Sequence, residues 1–313
     1  MKQFRALGGL AALALVALTA CGGSSNPVTA AADTTATAGT AASSSGGPSI
    51  TIGSANFQEN VLLAEIYAGA LSAKGVKVTK KLNIGSREAY IPGLKDGSID
   101  LIPEYSGVLL QYFDKAATAV SSDDVYAALG KALPSTLQVL DQSKAEDKDA
   151  IVVSKATADK YKLTSIADLA PVAKDLVLGA PPEFKTRADG VIGLTSKYGV
   201  TFKEFKALDA GGPLTINALK NGQVQAADIF TTDPSIVADG FVVLSDPKSL
   251  YTAQNVLPLI NKAKLNAPIS DALNAVSAKL DTPGLTALVA KVVADKQDPA
   301  TVAAGWLKTN GLS

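Results

Sequence analysis

Two passages of this chain, at 93–101 and 218–226, repeat one pattern: a helix end, a glycine and a short apolar strand. Polar turns suited to begin a further helix follow, at 103–107 and 230–234. In open α/β sheets, ligands bind where loops leave the carboxyl ends of strands and where helix N-termini present free N–H groups. The repeat therefore predicts two α/β lobes that line a ligand cleft. The alternative is a chance match, because glycine ends many helices.

The N-terminus has the pattern of a bacterial lipoprotein signal. Lys2 and Arg5 precede an apolar run at 6–20, which is too short to span a bilayer and fits the core of a secretory signal. Small residues then lead to Cys21, the only cysteine of the chain. We predict a signal peptide at 1–20 and lipid attachment at Cys21, with the mature protein held on the extracytoplasmic face of the cell membrane. The alternative is an ordinary signal peptide followed by an incidental cysteine.

The segment after the signal is predicted to be a tether. Residues 21–48 are mainly Ala, Thr, Ser and Gly, and Asp33 is their one charge. Such a segment buries too little apolar surface to offset the entropy cost of ordering it. We therefore expect a flexible link between the membrane and a folded body.

Composition restricts the chemistry of the folded body, which spans about 49–313 and is long enough for two lobes. Basic and acidic residues balance at 29 each, so the chain has no basic excess to hold nucleic acid. Histidine is absent, which excludes a serine triad with histidine, a zinc site with histidine ligands and a Cys–His pair. We predict no cofactor, no metal and no enzymatic activity.

Alternating strand and helix signals predict a first lobe of the βαβαβ type. The predicted elements are a strand at 50–53, a helix that Asn56 caps and that ends near 74, a strand at 76–82, a helix that Ser86 caps and that ends at 96, and a strand at 99–102.

Four further apolar runs predict the strands of a second lobe, at 151–153, 176–180, 224–230 and 241–244. A strand at 256–260 then returns to the first lobe, and a helical tail at 266–312 has start signals at Asp271, Asp281 and Asp298. The first lobe would comprise 49–150 with 255–313, and the second lobe 151–254. Two chain crossings between the lobes predict a hinge.

Six blocks of residues follow one another along the chain in a recognisable order. They are GSANFQE at 53–59, AEIY at 64–67, LNIGSRE at 82–88, GSIDLIPEYSG at 97–107, GAPPEF at 179–184 and FTTD at 230–233. Together they resemble the osmoprotectant-binding proteins of ABC importers, which bind glycine betaine, choline or carnitine. The resemblance covers nearly the whole mature chain. It implies an α/β type II periplasmic-binding fold, a monomer that closes on its ligand, and delivery to a membrane permease and its cytoplasmic ATPase.

The resemblance also implies a cage of aromatic rings around a quaternary ammonium group, and half of that cage is missing here. Tyr105 and Phe230 occupy two ring positions, whereas Asp149 and Gln254 occupy the other two. A ring face within about 6 Å of a cation contributes roughly 0.5–2 kcal/mol. Asp149 would pair with a cation, and Gln254 would hydrogen-bond a carboxylate or hydroxyl. The ligand is therefore either a betaine- or choline-like solute or a neutral, hydroxylated or aromatic one.

Several other candidate contacts have a structural alternative. Asn56 and Ser86 are either simple helix caps or caps that also direct N–H groups at a ligand. Arg87 stands in a first helical turn, where a cation is unfavourable, and is either a ligand contact or a surface charge. Arg187 either closes the cleft or lies on a solvated helix face. Glu104 lacks a recognisable partner for catalysis.

The aromatic and threonine candidates also have two interpretations each. Tyr105, Phe184 and Phe230 are either ligand contacts or core residues, and Thr231 and Thr232 are either ligand contacts or caps of the next helix. The predicted ligand contacts are Asn56, Phe57, Ser86, Arg87, Tyr105, Asp149, Phe184, Phe230, Thr231, Thr232 and Gln254.

The hypothesis from the sequence is a lipid-anchored protein that captures a small solute between two lobes. Binding would favour the closed state, because only there do both walls touch the ligand. The rivals are an anchored hydrolase or transferase, for which no nucleophile and base are recognisable, and a sensing or scaffolding lipoprotein without an importer. We expect Tyr105→Ala to remove most ligand binding and to leave the thermal melt nearly unchanged.

Overall fold

The computed structural model describes residues 48–313. The predicted signal peptide, Cys21 and nearly all of the predicted tether lie outside these residues. Within the described part, two five-stranded sheets each carry apolar clusters on both faces, where the helices pack. No helix of residues 48–313 is long and apolar enough to cross a membrane.

The described residues form ten strands and eleven α-helices. The strands are β1 (Ser49–Ala55), β2 (Lys77–Gly85), β3 (Leu101–Tyr105), β4 (Leu137–Val139), β5 (Asp149–Val153), β6 (Val177–Ala180), β7 (Glu204–Ala207), β8 (Ala226–Phe230), β9 (Val242–Val243) and β10 (Val256–Asn261). The helices are α1 (Gln58–Ala73), α2 (Arg87–Asp96), α3 (Ser106–Phe113), α4 (Ser122–Ala132), α5 (Lys155–Tyr161), α6 (Val191–Tyr198), α7 (Pro213–Lys220), α8 (Ser235–Ala238), α9 (Ala267–Lys279), α10 (Thr282–Val293) and α11 (Pro299–Thr309).

Both sheets are mixed. The first has the strand order β2-β1-β3-β10-β4, in which β1 runs parallel to β2 and β3 while β10 runs antiparallel to β3 and β4. The second has the order β7-β6-β8-β5-β9, in which β6 runs parallel to β7 and β8 while β5 runs antiparallel to β8 and β9. The predicted βαβαβ unit is present, but the returning strand reverses direction, so the first lobe is not a purely parallel sheet. This is the architecture of the type II periplasmic-binding fold.

The chain passes between the two sheets twice, between β4 and β5 and again between β9 and β10. It enters the second sheet at Asp149 and re-enters the first at Val256, close to the predicted lobe limits at 150/151 and 254/255. We call the parts built on the first and second sheets the first and second lobes.

The repeated pattern forms equivalent structures in the two lobes. Gly97 directly follows α2 with φ 81°, and Gly222 follows α7, one residue further on, with φ 68°. This left-handed backbone favours glycine, which explains the two helix ends. The strands that follow, β3 and β8, end at Tyr105 and Phe230. The repeat thus places one aromatic residue at the end of an inner strand in each lobe.

Three side chains cap the helices of the tail. Asn266, Asp281 and Asp298 each accept a hydrogen bond from a backbone N–H in the first turn of α9, α10 and α11. The start signals at Asp281 and Asp298 are therefore confirmed. The start predicted at Asp271 is wrong, because Asn266 already caps the helix that contains Asp271.

Candidate functional site

A cavity of about 50 Å³ lies between the lobes, beside the ends of β3 and β8. Aromatic rings and charged groups from both lobes line it. The predicted ligand contacts that line it are Asn56, Phe57, Ser86, Arg87, Tyr105, Asp149, Phe230 and Gln254. The structure therefore brings together most of the residues that the sequence singled out, from segments far apart in the chain.

Three aromatic rings converge at this cavity. The ring centroids of Phe57 and Tyr105 are 6.1 Å apart, and those of Phe57 and Phe230 are 4.7 Å apart. Phe57 and Tyr105 belong to the first lobe and Phe230 to the second. Tyr90 adds a fourth ring to the lining, and sequence reasoning missed it. Its position in α2, one turn beyond Ser86, is the signal that could have revealed it.

Arg87 is held by a buried ion pair with Glu104. The guanidinium Nε and Nη2 donate to the two carboxylate oxygens of Glu104, both at 2.8 Å. The Tyr90 hydroxyl and the Tyr105 backbone N–H also donate to Glu104, at 2.6 and 3.1 Å. Glu104 is fully buried and Arg87 is 7% exposed. Arg87 is therefore not a surface charge, and its own charge is already balanced inside the protein.

Three carboxyl groups in the lining have no such partner. Asp147, Asp149 and Asp228 line the cavity, and none of them forms an ion pair among the described residues. Burial, together with repulsion from Asp189, raises the pKa of Asp149 to about 6. Burial also raises the pKa of Asp147, with added repulsion from Glu59, and that of Asp228, with added repulsion from Asp149. The cavity thus holds acidic groups that a cation would stabilise in their charged form.

Glu59 links the two lobes through hydrogen bonds from Tyr105 and Thr232. Its carboxylate accepts a hydrogen bond from the Tyr105 hydroxyl at 2.7 Å and one from Thr232 Oγ1 at 2.5 Å. The Thr232 backbone N–H and Thr231 Oγ1 both donate to Asp147 Oδ1, at 3.1 Å. Neither threonine lines the cavity. Thr231 binds Asp147, and Thr232 binds both Glu59 and Asp147.

A second link between the lobes is an ion pair at the edge of the cleft. Arg187, in the second lobe, donates from Nε and Nη2 to the carboxylate of Glu88 on α2, at 3.1 and 2.9 Å. Partial burial opposes the charge on Glu88, but Arg187 outweighs it and lowers the pKa of Glu88 to about 2. Arg187 therefore joins the two walls of the cleft, and its charge is paired.

Three predictions for individual residues need correction. Asn56 does not cap a helix, because α1 begins at Gln58 after an N-cap residue, Phe57, that offers no side-chain hydrogen bond. Ser86 holds the N-cap position of α2 but makes no capping bond, since its hydroxyl donates to Glu88 at 2.7 Å instead. Phe184 is 2% exposed in the core of the second lobe and does not line the cavity.

The acidic residues Glu59, Asp147 and Asp228 were missed at the sequence level. Asp228 had a usable signal, because it is a carboxylate within an otherwise apolar strand, Ala226–Phe230. Asp147 lies in a loop before β5 and has no local pattern that distinguishes it from a surface acid.

The fold and the cavity define a solute-binding protein that holds its ligand between two lobes. Residues 48–309 match the family described as the substrate binding domain of the ABC-type glycine betaine transport system. The chain belongs to this family. It is thus the solute-binding component of an ABC importer and not an enzyme, and it works outside the cytoplasm with a permease and an ATPase.

Two curated relatives cover most of the chain. The glycine betaine-binding protein YehZ of Escherichia coli K12 is 28% identical over 276 residues, which cover 84% of this chain and 90% of that protein. The glycine-betaine-binding protein of Pseudomonas aeruginosa PAO1 is 27% identical over 277 residues, which cover 83% and 88%.

Solved structures show the same fold. A crystal structure of a glycine betaine/carnitine/choline ABC transporter protein superposes with a TM-score of 0.65 at 23% identity, covering 84% of this chain and 99% of that one. Lactococcal OpuAC, closed around glycine betaine, superposes with a TM-score of 0.60 at 15% identity, covering 84% and 96%.

Proposed function

We propose that the cavity between the lobes binds a small cationic solute with a quaternary ammonium group, for delivery to the permease. The observation that carries this proposal is the meeting of three rings, from Phe57, Tyr105 and Phe230, with carboxyl groups that lack a basic partner. The two arginines of the lining are already paired with Glu104 and Glu88. No unpaired positive charge among the lining residues is therefore left to balance Asp147, Asp149 and Asp228. A cationic solute would supply that charge.

The rings and the carboxyl groups favour a cation by separate mechanisms. Each ring face contributes roughly 0.5–2 kcal/mol of cation–π attraction, most where water is excluded. A buried carboxylate gains more from an opposite charge than an exposed one, because the local dielectric constant is low. The names of relatives that bind glycine betaine, and of a structural neighbour named for glycine betaine, carnitine and choline, agree with this proposal.

Calorimetric titration with a matched pair of probes tests the proposal. Choline and its neutral carbon isostere, 3,3-dimethylbutan-1-ol, have the same shape and differ in charge. We expect the purified protein to bind choline at least 100-fold more tightly, because the isostere gains neither cation–π attraction nor pairing with the carboxylates. Equal binding of the two probes, or binding of neutral polyols and phenolics alone, would contradict a cationic ligand.

Acidification should weaken cation binding through Asp149. Its pKa is raised to about 6, so the carboxyl takes up a proton between about pH 7.5 and pH 5 and the cavity loses negative charge. We expect the affinity for choline to fall at least threefold over this range. The affinity of Asp149→Asn should be lower at pH 7.5 and should vary less with pH.

The stability of the empty protein should change in the opposite direction. Because the pKa of Asp149 is higher in the folded state, its ionisation between about pH 4 and pH 6 lowers the free energy of unfolding. Asp149→Asn should therefore stabilise the empty protein at pH 7.5 by about 1–2 kcal/mol, measured by denaturant titration. Loss of stability together with unchanged choline affinity would remove Asp149 from the site.

We also propose that the mature protein is a monomer held on the outer face of the cell membrane by a lipid on Cys21. The support is the sequence pattern of 1–21 and the tether composition of 21–48. A tether of this length would let the two lobes, 49–150 with 255–313 and 151–254, meet a permease in the same membrane.

A further inference from the structure

One carboxyl group in the cavity has no hydrogen-bond partner. Asp228 lies on β8, is 2% exposed and lines the cavity. Its Oδ1 is buried and accepts no hydrogen bond from the described residues. Side chains alternate along a strand, so Asp228 shares a face with Phe230, whose ring is part of the aromatic cluster. The carboxyl group therefore lies next to the rings on the wall formed by the second lobe.

Such atoms are uncommon in folded proteins; six occur among the described residues, and Asp228 Oδ1 is the one that belongs to a residue of the cavity lining. More than about 90% of buried polar groups have a hydrogen-bond partner, because leaving a buried acceptor unpaired costs about 1–3 kcal/mol. The neighbours of Asp228 do not supply the missing donor: Asp149 and Asp189 are also acidic and repel it, and the nearby Tyr251 hydroxyl, itself buried without a partner, does not donate to it. Arg187 attracts Asp228, but its guanidinium donates to Glu88.

A ligand in the cavity would supply such a donor. A quaternary ammonium group carries no N–H, so it would satisfy the charge of the carboxyl group and not its hydrogen-bonding capacity. The donor must then be a second group on the solute, at the end away from the methyl groups. A hydroxyl fits this requirement, whereas a carboxylate is an acceptor and would be repelled by Asp228 in the charged form that the bound cation stabilises.

We propose that Asp228 is a specificity-determining residue that accepts a hydrogen bond from a hydroxyl of the bound cation, so that the site prefers a cationic amino alcohol to a carboxylate-bearing betaine. This inference rests on the proposed function, since it assumes a quaternary ammonium solute. It adds to the proposed function the chemical nature of the solute's second polar group and the residue that hydrogen-bonds to it. The paired state of Arg87 and Arg187 agrees with it, because the charge that would attract a ligand carboxylate is already balanced by Glu104 and Glu88.

Three probes separate charge from hydrogen bonding. Choline has the hydroxyl donor, choline methyl ether has the same charge without the donor, and glycine betaine has a carboxylate instead. Each is titrated calorimetrically into the wild-type protein, into Asp228→Asn and into Asp175→Asn. Asp175 is an exposed acid of the same lobe, so its replacement makes the same change in net charge away from the cavity.

We expect the wild-type protein to bind choline at least tenfold more tightly than choline methyl ether or glycine betaine. In Asp228→Asn the ratio between choline and its methyl ether should fall to about threefold or less, because the strong acceptor is gone. Asp175→Asn should keep the wild-type ratio. If Asp228→Asn does not fold, the ratio of the wild-type affinities for choline and choline methyl ether still shows whether the site recognises a hydrogen-bond donor on the ligand.

Equal affinities of the wild-type protein for choline and its methyl ether would overturn the role of Asp228 while leaving the cationic ligand in place. Tighter binding of glycine betaine than of choline, lost in Asp228→Asn, would also overturn it, since a protonated Asp228 would then donate to the ligand carboxylate. Absence of binding for all three ammonium probes would instead contradict the proposed function itself.

Discussion

Arg87→Met is expected to destabilise the protein by about 3–5 kcal/mol, a large part of a typical total stability of about 5–15 kcal/mol. Methionine replaces the apolar stem of Arg87 but removes both hydrogen bonds to Glu104. The Glu104 carboxylate is fully buried and would keep only the Tyr90 hydroxyl and one backbone N–H as donors. A buried charge without a counter-charge is the main cost.

Denaturant titration of a four-protein cycle measures this effect. Glu104→Gln alone leaves Arg87 without its counter-charge and should also be destabilising. The double variant Arg87→Met with Glu104→Gln removes both charges and should recover at least half of the loss seen in Arg87→Met. A loss below about 1 kcal/mol in Arg87→Met would show that the pair is solvated in solution.

Tyr105→Ala is expected to impair both stability and ligand binding. Tyr105 is 5% exposed, packs in the main apolar cluster of the first lobe and contacts the Phe57 ring. Removing a buried aromatic ring costs about 3–5 kcal/mol, because the cavity that remains collapses only partly. The expectation from the sequence of a nearly unchanged melt therefore does not fit the structure, in which Tyr105 belongs to the core and to the cavity lining at once.

Tyr105→Phe separates the two roles of this residue. It keeps the ring and removes the hydroxyl that donates to Glu59 at 2.7 Å. We expect a loss of stability of about 1–2 kcal/mol and a choline affinity within threefold of the wild-type value, by denaturant and calorimetric titration. A choline affinity as low as that of Tyr105→Ala would mean that ligand binding requires the Tyr105 hydroxyl and not only the ring.

Much of the site was accessible from the sequence because the family blocks contain it. The positions of Tyr105 and Phe230 follow from the repeat, which ends an inner strand of each lobe with an aromatic residue. Asp149 and Gln254 were found as departures from the aromatic cage, and both line the cavity. Phe184 and the two threonines lie outside the lining, because their neighbours in space are core residues and the carboxyl groups of Glu59 and Asp147.

The sequence by itself determined the two-lobed α/β architecture and the helix ends at Gly97 and Gly222, because apolar periodicity and left-handed backbone act over a few neighbouring residues. Only the tertiary structure decided which charged groups are paired and which are left without a partner. The charge of Arg87, in α2, is balanced because Glu104 reaches it from β3, and Asp228 Oδ1 is unsatisfied because none of its neighbours in space, the acidic Asp149 and Asp189 among them, donates to it. Burial, charge pairing and pKa depend on groups that distant segments bring together, and no local pattern of residues contains that information.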